Sequence, residues 1–440
     1  MKNKKKILAR MEYKRFFQKL RSKYKKKLMN GGKIVKKMVR KLHFKKKATI
    51  YKKMKVPHIR KRLTIKVPKI FDLSTEPDSV LQFLNELSKN LHKDIAYDLY
   101  IDHSETEAIS LDASYLFDSL IKNYSKYWQK LHIKIHMSGT ASNNVDVNNF
   151  LLSFGLLNEL NITKHKLFPD LADRDYIDKY ITFKKDGASL KSYLAGNTST
   201  ELVNYFDKCF NENGLRIKDN AKSDLMDCFG EIIKNAEEHS GKETTEWIVR
   251  GCYTKSTHSC SFSIINYGNS FYQSLTENSS TAKTVLEEIS KVIYSHTRFI
   301  TKLSLNMELY QQAIYTYMAI QDGISSKRSE YGKASTRGQG IIDVVQFIDQ
   351  IRNKKNSITY LNIISGNTFL NIDYKYPLVV EKKGKNQEIR RLMYLNEKSN
   401  FSDPPDIKKL KTMKNYFPGV IFSGYFTIDQ DYLLEQVRSA

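Results

Sequence analysis

The sequence predicts an α/β protein: an α+β sandwich that carries a smaller α/β unit and a basic arm. Three observations predict it. At 440 residues with 40% apolar side chains, the chain is long enough for two or three ordinary cores. Apolar residues recur with helical spacing in some stretches and alternate with a period of two in others. The excess positive charge is confined to one end. No run approaches eighteen consecutive apolar residues, so no membrane-spanning helix is expected. Cys209, Cys228, Cys252 and Cys260 form no CxxC pair and have no histidine at ligand spacing. A disulfide framework or zinc module is therefore not expected. Buried thiols in a reducing, cytoplasmic setting are.

Residues 1–70 form the arm. They hold 29 Lys or Arg against one acid, Glu12, and the other 370 residues carry 44 basic and 46 acidic side chains. The whole net charge of +26 is thus accounted for by an arm of +28 on a near-neutral body. Runs such as Lys25-Lys26-Lys27 and Lys45-Lys46-Lys47 alternate with Tyr13, Phe16, Phe17, Tyr24, Phe44 and Tyr51. Such density is neutralised best by a polyanion, with counterion release as the driving force, and the aromatics suit stacking on unpaired bases. Nucleic acid is the expected partner; an acidic protein, a membrane face or a merely solvated tail are the competing readings. No apolar segment follows the charges, which excludes a secretory signal, and the 23 Lys against 6 Arg disfavour a transit peptide.

Residues 71–185 read as a small α/β domain. Val80, Leu81, Phe83, Leu84, Leu87 and Leu91 give Ser79–Leu91 a helical stripe, Ile95–Ile101 reads as a strand and Ala113–Tyr127 as an amphipathic helix. Leu131–Met137 alternates as a half-buried strand does, the polar Ser138-Gly139-Thr140 is expected to turn, and a helix follows over about 145–157. Over about 95–165 this order resembles a STAS-like domain, the fold of anti-sigma-factor antagonists. The resemblance offers Ser110 or Ser114 as a regulatory serine at a helix start, where plain capping is the competing explanation.

Residues 198–440 carry the most specific pattern. Ser223–Ser240 is expected to be a helix with a core stripe of Leu225, Met226, Phe229, Ile232 and Ile233, and with Glu231, Asn235, Glu238 and His239 on another face. His239 suits the end of a helix dipole. Trp247–Tyr253 and Phe262–Ile265 follow as apolar runs, the second ending in Asn266-Tyr267-Gly268-Asn269. A long insertion, about 270–336, holds amphipathic stretches at Ala282–Ser295 and Met307–Ile320 and a basic strip with Lys333. Arg337-Gly338-Gln339-Gly340 then opens the helix Ile341–Ile351, where free amides and the positive dipole end suit a phosphate.

These segments together resemble the Bergerat-type (GHKL) ATPases, which include histidine kinases, type II topoisomerases and mismatch-repair ATPases. Glu231-Ile232-Ile233-Lys234-Asn235-Ala236 resembles the N box, Asn266-Tyr267-Gly268 stands where the DxGxG box lies, Arg337-Gly338-Gln339-Gly340 resembles the lid-closing GxG box, and Phe417-Pro418-Gly419-Val420 resembles the last, glycine-threonine element. The resemblance implies ATP and Mg²⁺ as cofactors. It implies Asn235 as the ligand of Mg²⁺ and phosphates, and Glu231 as general base. Asn266 and Gly268 would lie at the adenine, and the amides around Gly338 and Gly340 at the phosphates. From the basic strip before the glycine box, Lys333 or Arg337 could reach a terminal phosphate once the lid closes, with a solvated loop as the competing reading. Asn266 replaces the family's aspartate, Ser270 the second glycine and Val420 the threonine. Asn235-Ala236-x-x-His239 is most similar to the anti-sigma-factor serine kinases. The expected function is a slow Mg²⁺-dependent ATPase whose nucleotide state controls partner contacts. The alternatives are a serine/threonine kinase of a partner-switching circuit, or a non-hydrolysing nucleotide sensor in a nucleic-acid-bound bacterial defence module.

Overall fold

The computed structural model describes residues 61–91, 96–159, 179–188, 193–212, 214–239, 246–277, 283–322, 324, 340–352, 358–383 and 388–427. Most of the arm, with its aromatics and lysine runs, lies outside the described residues, as do Lys333, Arg337 and Gly338. The protein is mixed α/β. Among the described residues no helix is long and apolar enough to cross a membrane.

The first unit begins inside the stretch counted above as arm. Strand β1 (Lys61–Lys66) pairs in parallel with β3 (Tyr97–Asp102), which pairs in parallel with β5 (Met137–Thr140), in the order β1-β3-β5. β1 keeps Lys61, Arg62 and Lys66 in solvent and buries Ile65. β2 (Ile70–Phe71) and β4 (Ala108–Ile109) form a separate short parallel pair. Helix α1 (Pro77–Leu91) buries the stripe read from the sequence. In α2 (Leu111–Lys130) Ser110 is the N-cap, accepting from the Ala113 amide, while Ser114 is buried in the interior. α3 (Val145–Ser153) and α4 (Leu156–Glu159) follow. The alternation at Leu131–Met137 was misleading as a strand signal. The strand starts at Met137 and includes Ser138, Gly139 and Thr140. A Cβ at Gly139 would lie 2.2 Å from the Ile101 carbonyl oxygen, so glycine there permits close pairing with β3 rather than a turn.

The second unit is a five-stranded antiparallel sheet in the order β6-β7-β8-β12-β9: β6 (Tyr180–Ala188), β7 (Glu246–Thr254), β8 (Ser259–Tyr267), β9 (Tyr360–Ile372) and β12 (Leu410–Thr427). β6, most of which falls within 71–185, belongs to this larger sheet. Helices α5 (Tyr193–Asn211), α6 (Asp219–His239) and α11 (Gly340–Ile351) join one core with Phe206, Phe229, Trp247, Phe262, Val345 and Phe422. The described part of the insertion is packed. Helices α7 (Phe271–Thr276), α8 (Lys283–Ser295), α9 (Thr297–Lys302) and α10 (Met307–Ala319) place Leu275, Ile289, Ile300 and Ile314 in that same core. A hairpin, β10 (Leu378–Lys383) with β11 (Glu388–Met393), lies between β9 and β12 in sequence.

The opposite sheet face is covered by the first unit. Ile248, Ile265, Ile364, Phe369, Met413, Phe417 and Ile421 share a second core with residues of α1, α2 and β1. At about 1.5–3 kcal/mol for each fully buried large apolar side chain, this interface contributes on the order of 10 kcal/mol gross, too much for a loosely hinged pair. Asn415 also clasps the start of α1, its amide N–H donating to Asp78 Oδ1 at 2.8 Å and its Nδ2 to the Asp78 carbonyl at 3.2 Å.

Candidate functional site

Among the described residues, the segments around Asn235, Asn266 and Gly340 lie toward one end of the sandwich. Phe229 of α6 packs edge-on against Phe262 of β8, with ring centroids 5.7 Å apart. From that contact both elements run toward the same end. Asn235 lies six helical residues further, ~9 Å, and Asn266 four strand residues further, ~13 Å. The same direction follows from the connection, since α6 ends at His239 and β7 begins at Glu246 with Trp247 paired to Asn266. α11 runs the opposite way. Its C-terminal end leads to Tyr360, which pairs with Tyr425 at the far edge, so Gly340 lies at the Asn266 end.

The face of α6 that carries the candidate residues is set by Cys228, whose thiol hydrogen-bonds Asp343 in the first turn of α11. Cys228, Glu231 and Asn235 stand at i, i+3 and i+7, on one stripe. Both Glu231 and Asn235 are half-buried. The stripe therefore looks toward the N-terminal end of α11, where backbone amides and the helix dipole favour an anion. Burial and the neighbouring Asp343 push the Cys228 thiol up to about 12, which keeps it uncharged.

Asn266 is the most informative side chain. It shares the face of Phe262 and Ile264 toward the helical layer and is only 4% exposed, and its Nδ2 has no hydrogen-bond partner. An unsatisfied buried amide costs roughly 1–3 kcal/mol, so a native chain is expected to give it a use. Rotation of the amide exchanges donor and acceptor, so the position can serve either edge of a heterocycle.

The segment after Asn266 is stitched to β12. Gly268 N–H donates to the Pro418 carbonyl at 3.1 Å, and Gly419 and Val420 pair with Tyr267 and Asn266. Gly419 has φ +144°, and a Cβ there would lie 2.0 Å from the Asn266 carbonyl oxygen. The two segments read as separate motifs are thus adjacent strands. Ser270 has its own reason to replace a glycine: it caps α7 through a capping box with Gln273.

Sequence reading missed two features of this end. Trp247, opposite Asn266, is fully buried with an unpartnered indole N–H. Arg391 gathers Asp322, Asp343 and Gln346. Neither has a local signal, because the partners are 19 to 69 residues apart. Among the described residues no group of three His, Cys, Asp or Glu side chains can hold a metal ion. Mg²⁺ would fit here only as a phosphate-bound ion that takes one oxygen from the protein, the mode in which it keeps most of its water and phosphate ligands. Asn235 on the anion-facing stripe is suited to that. No protein-family model matches the chain, and no curated protein or solved structure matches it significantly.

Proposed function

We propose that the chain is a Mg²⁺-dependent ATP-binding protein, a Bergerat-type unit backed by a STAS-like unit, with slow ATPase turnover that controls contacts with a partner. The reading is supported above all by Asn266: a buried amide whose Nδ2 has no partner, beside a glycine-bearing strand pair, at the end where the Glu231/Asn235 stripe looks toward the α11 N-terminus. In this reading Asn266 bonds the adenine edge and the α11 amides at Gly340 take phosphate oxygens. Asn235 lends its amide oxygen to Mg²⁺, which when bound neutralises phosphate charge. Glu231 accepts a proton from the attacking water. The dense positive charge of the arm favours a nucleic acid as the partner.

Incubation of the full chain with γ-labelled ATP tests the reading. Slow release of free phosphate is expected. Glu231→Gln should lower turnover by about 10²-fold or more while binding persists. Asn235→Ala should abolish Mg²⁺-dependent binding. Label retained on protein would favour the kinase alternative, and binding without either product the nucleotide sensor. Absence of nucleotide binding would refute the site, and unchanged turnover in Glu231→Gln would remove that residue from its role.

A further inference from the structure

The hairpin β10–β11 pairs with neither larger sheet, although Met393 enters the core on the helical side, and its Arg391 is the most heavily engaged cation among the described residues. Its Nε donates to Asp322 Oδ2 at 3.0 Å and its Nη2 to Asp322 Oδ1 at 3.3 Å, a two-pronged grip. Its Nη1 donates to Asp343 Oδ1 and, at 2.9 Å, to Gln346 Oε1. Its backbone N–H adds a third bond to Asp322, at 2.8 Å. All three guanidinium nitrogens are thus committed, so Arg391 is not free to serve as a phosphate ligand. The residues it grips are what matter. Asp322 is 4% exposed and follows α10; Asp343 lies in the first turn of α11 and also meets Cys228 of α6. Gln321, fully buried, reinforces the same anchor, accepting from the Met393 amide at 2.8 Å and donating to the Tyr317 carbonyl at 3.0 Å.

The guanidinium therefore sets two quantities at the candidate site. It fixes the start of α11 against the stripe that carries Glu231 and Asn235, because Asp343 touches Arg391 on one side and Cys228, one turn below Glu231, on the other. It also offsets one of the two carboxylate charges beside it, which reduces but does not remove their repulsion of an anion.

We infer that Arg391 is a positioning residue for an anionic ligand at this end of the sandwich: it holds the first turn of α11 in register with the Glu231/Asn235 face of α6. The inference rests on the nucleotide reading above. Lysine cannot replace it, since an ammonium is a point charge that lacks the planar fork needed to hold two carboxylates and an amide together.

The test measures binding of a non-hydrolysable Mg²⁺–ATP analogue by calorimetry, alongside thermal melting without nucleotide, in the full chain. Three chains are compared: wild type, Arg391→Lys, and the charge-neutral triple variant Arg391→Met with Asp322→Asn and Asp343→Asn. Removing the cation alone strands the buried Asp322 carboxylate, whereas the triple variant removes the charges together and should melt near the wild-type temperature. Arg391→Lys is expected to bind about tenfold more weakly, and the triple variant to stay at least as weak despite its recovered stability. Wild-type affinity in either variant overturns the inference and leaves Arg391 a stability element. A wild-type chain that binds no analogue overturns the nucleotide reading itself, and the inference with it.

Discussion

At the scale of single residues, the candidate site depends on replacements whose consequences can be measured. Asn266 stands where the resembled family carries an aspartate, and it is buried without a partner for Nδ2. A neutral amide bonds an adenine amino group without charge assistance. Asn266→Asp is therefore expected to tighten Mg²⁺–ATP binding several-fold by calorimetry; a wild-type dissociation constant would show that the position does not meet the base. Gly419 tests the scaffold instead. With φ at +144° and the Asn266 carbonyl oxygen 2.0 Å from a built Cβ, Gly419→Ala must displace the strand pair that presents Asn266. A loss of about 2–4 kcal/mol in denaturant unfolding is expected. His103 supplies a pH signature. Burial lowers its pKa to about 4, only partly offset by the Asp102 carboxylate, and its Nδ1 has no partner. The unfolded chain takes up this proton near pH 6.5, the folded chain only near 4. His103 therefore costs no stability above about 6.5, and the folded state loses stability as pH falls from there toward 4, by up to about 1.4 kcal/mol per unit. Asp112, whose pKa burial raises, acts in the opposite sense: the folded state takes up its proton more readily than the unfolded one, so its contribution gains as pH falls. Denaturant midpoints of wild type and His103→Gln over pH 4–7.5 should run parallel above about pH 6.5 and below it shift relative to one another, with wild type losing stability toward pH 4 that the variant keeps; curves parallel over the whole range would contradict the assignment.

At the scale of elements, the helices were legible because burial on one face leaves a 3.6-residue period. Pro77–Leu91 buries Val80, Leu81, Leu84, Leu87 and Leu91, the positions the pattern marks. The α6 stripe was legible for the same reason, and so was the shared face of Glu231 and Asn235. The strands were less so. Leu131–Met137 alternates yet only Met137 enters β5, because the strand is chosen by what β3 can accept and Gly139 is the residue small enough to lie on Ile101. β9 and β12 are long, polar in places and internally broken. β12 contains Pro418-Gly419 at a register shift between Phe417 and Val420, so a proline and glycine that read locally as a turn mark an irregularity in mid-strand. That same irregularity makes the Phe417–Val420 segment recognisable as a motif. Its partner, the Asn266 segment, lies more than 150 residues earlier, so their pairing could be seen only in three dimensions. The Arg391 cluster was invisible for the same reason: its grip spans α10, α11 and β11, and no spacing in the sequence encodes it.

At the scale of the whole molecule, the two folded units share a core, and this fixes where the arm ends. β1 pairs along its full length with β3 and buries Ile65, and Val67 just beyond it is also buried, so residues 61–70 belong to the folded body. Of the 29 basic residues in 1–70, 25 precede Lys61, and with Glu12 they carry +24, which leaves the body at +2. Removal of residues 1–60 is thus a clean way to remove the charge, whereas a chain starting at Phe71 would lose an edge strand and weaken the core that covers the back of the five-stranded sheet. The shorter chain, 61–440, should keep the wild-type melting temperature and nucleotide affinity. It should lose nucleic-acid binding, because its own charge is nearly balanced. The full chain should bind with a steep salt dependence, since each neutralised phosphate releases counterions; with 6–10 phosphates contacted, affinity should fall by about 10³–10⁵-fold between 50 and 200 mM salt. Tyr13, Phe16 and Tyr24 interleaved with the lysines should favour single strands over duplex. Binding of labelled single-stranded DNA, duplex DNA and RNA by both chains across that salt series is the measurement. A flat salt response, or equal affinity with and without residues 1–60, would refute nucleic acid as the arm's partner. An acidic protein or a membrane surface would then be the better match for a charge of +24 on sixty residues.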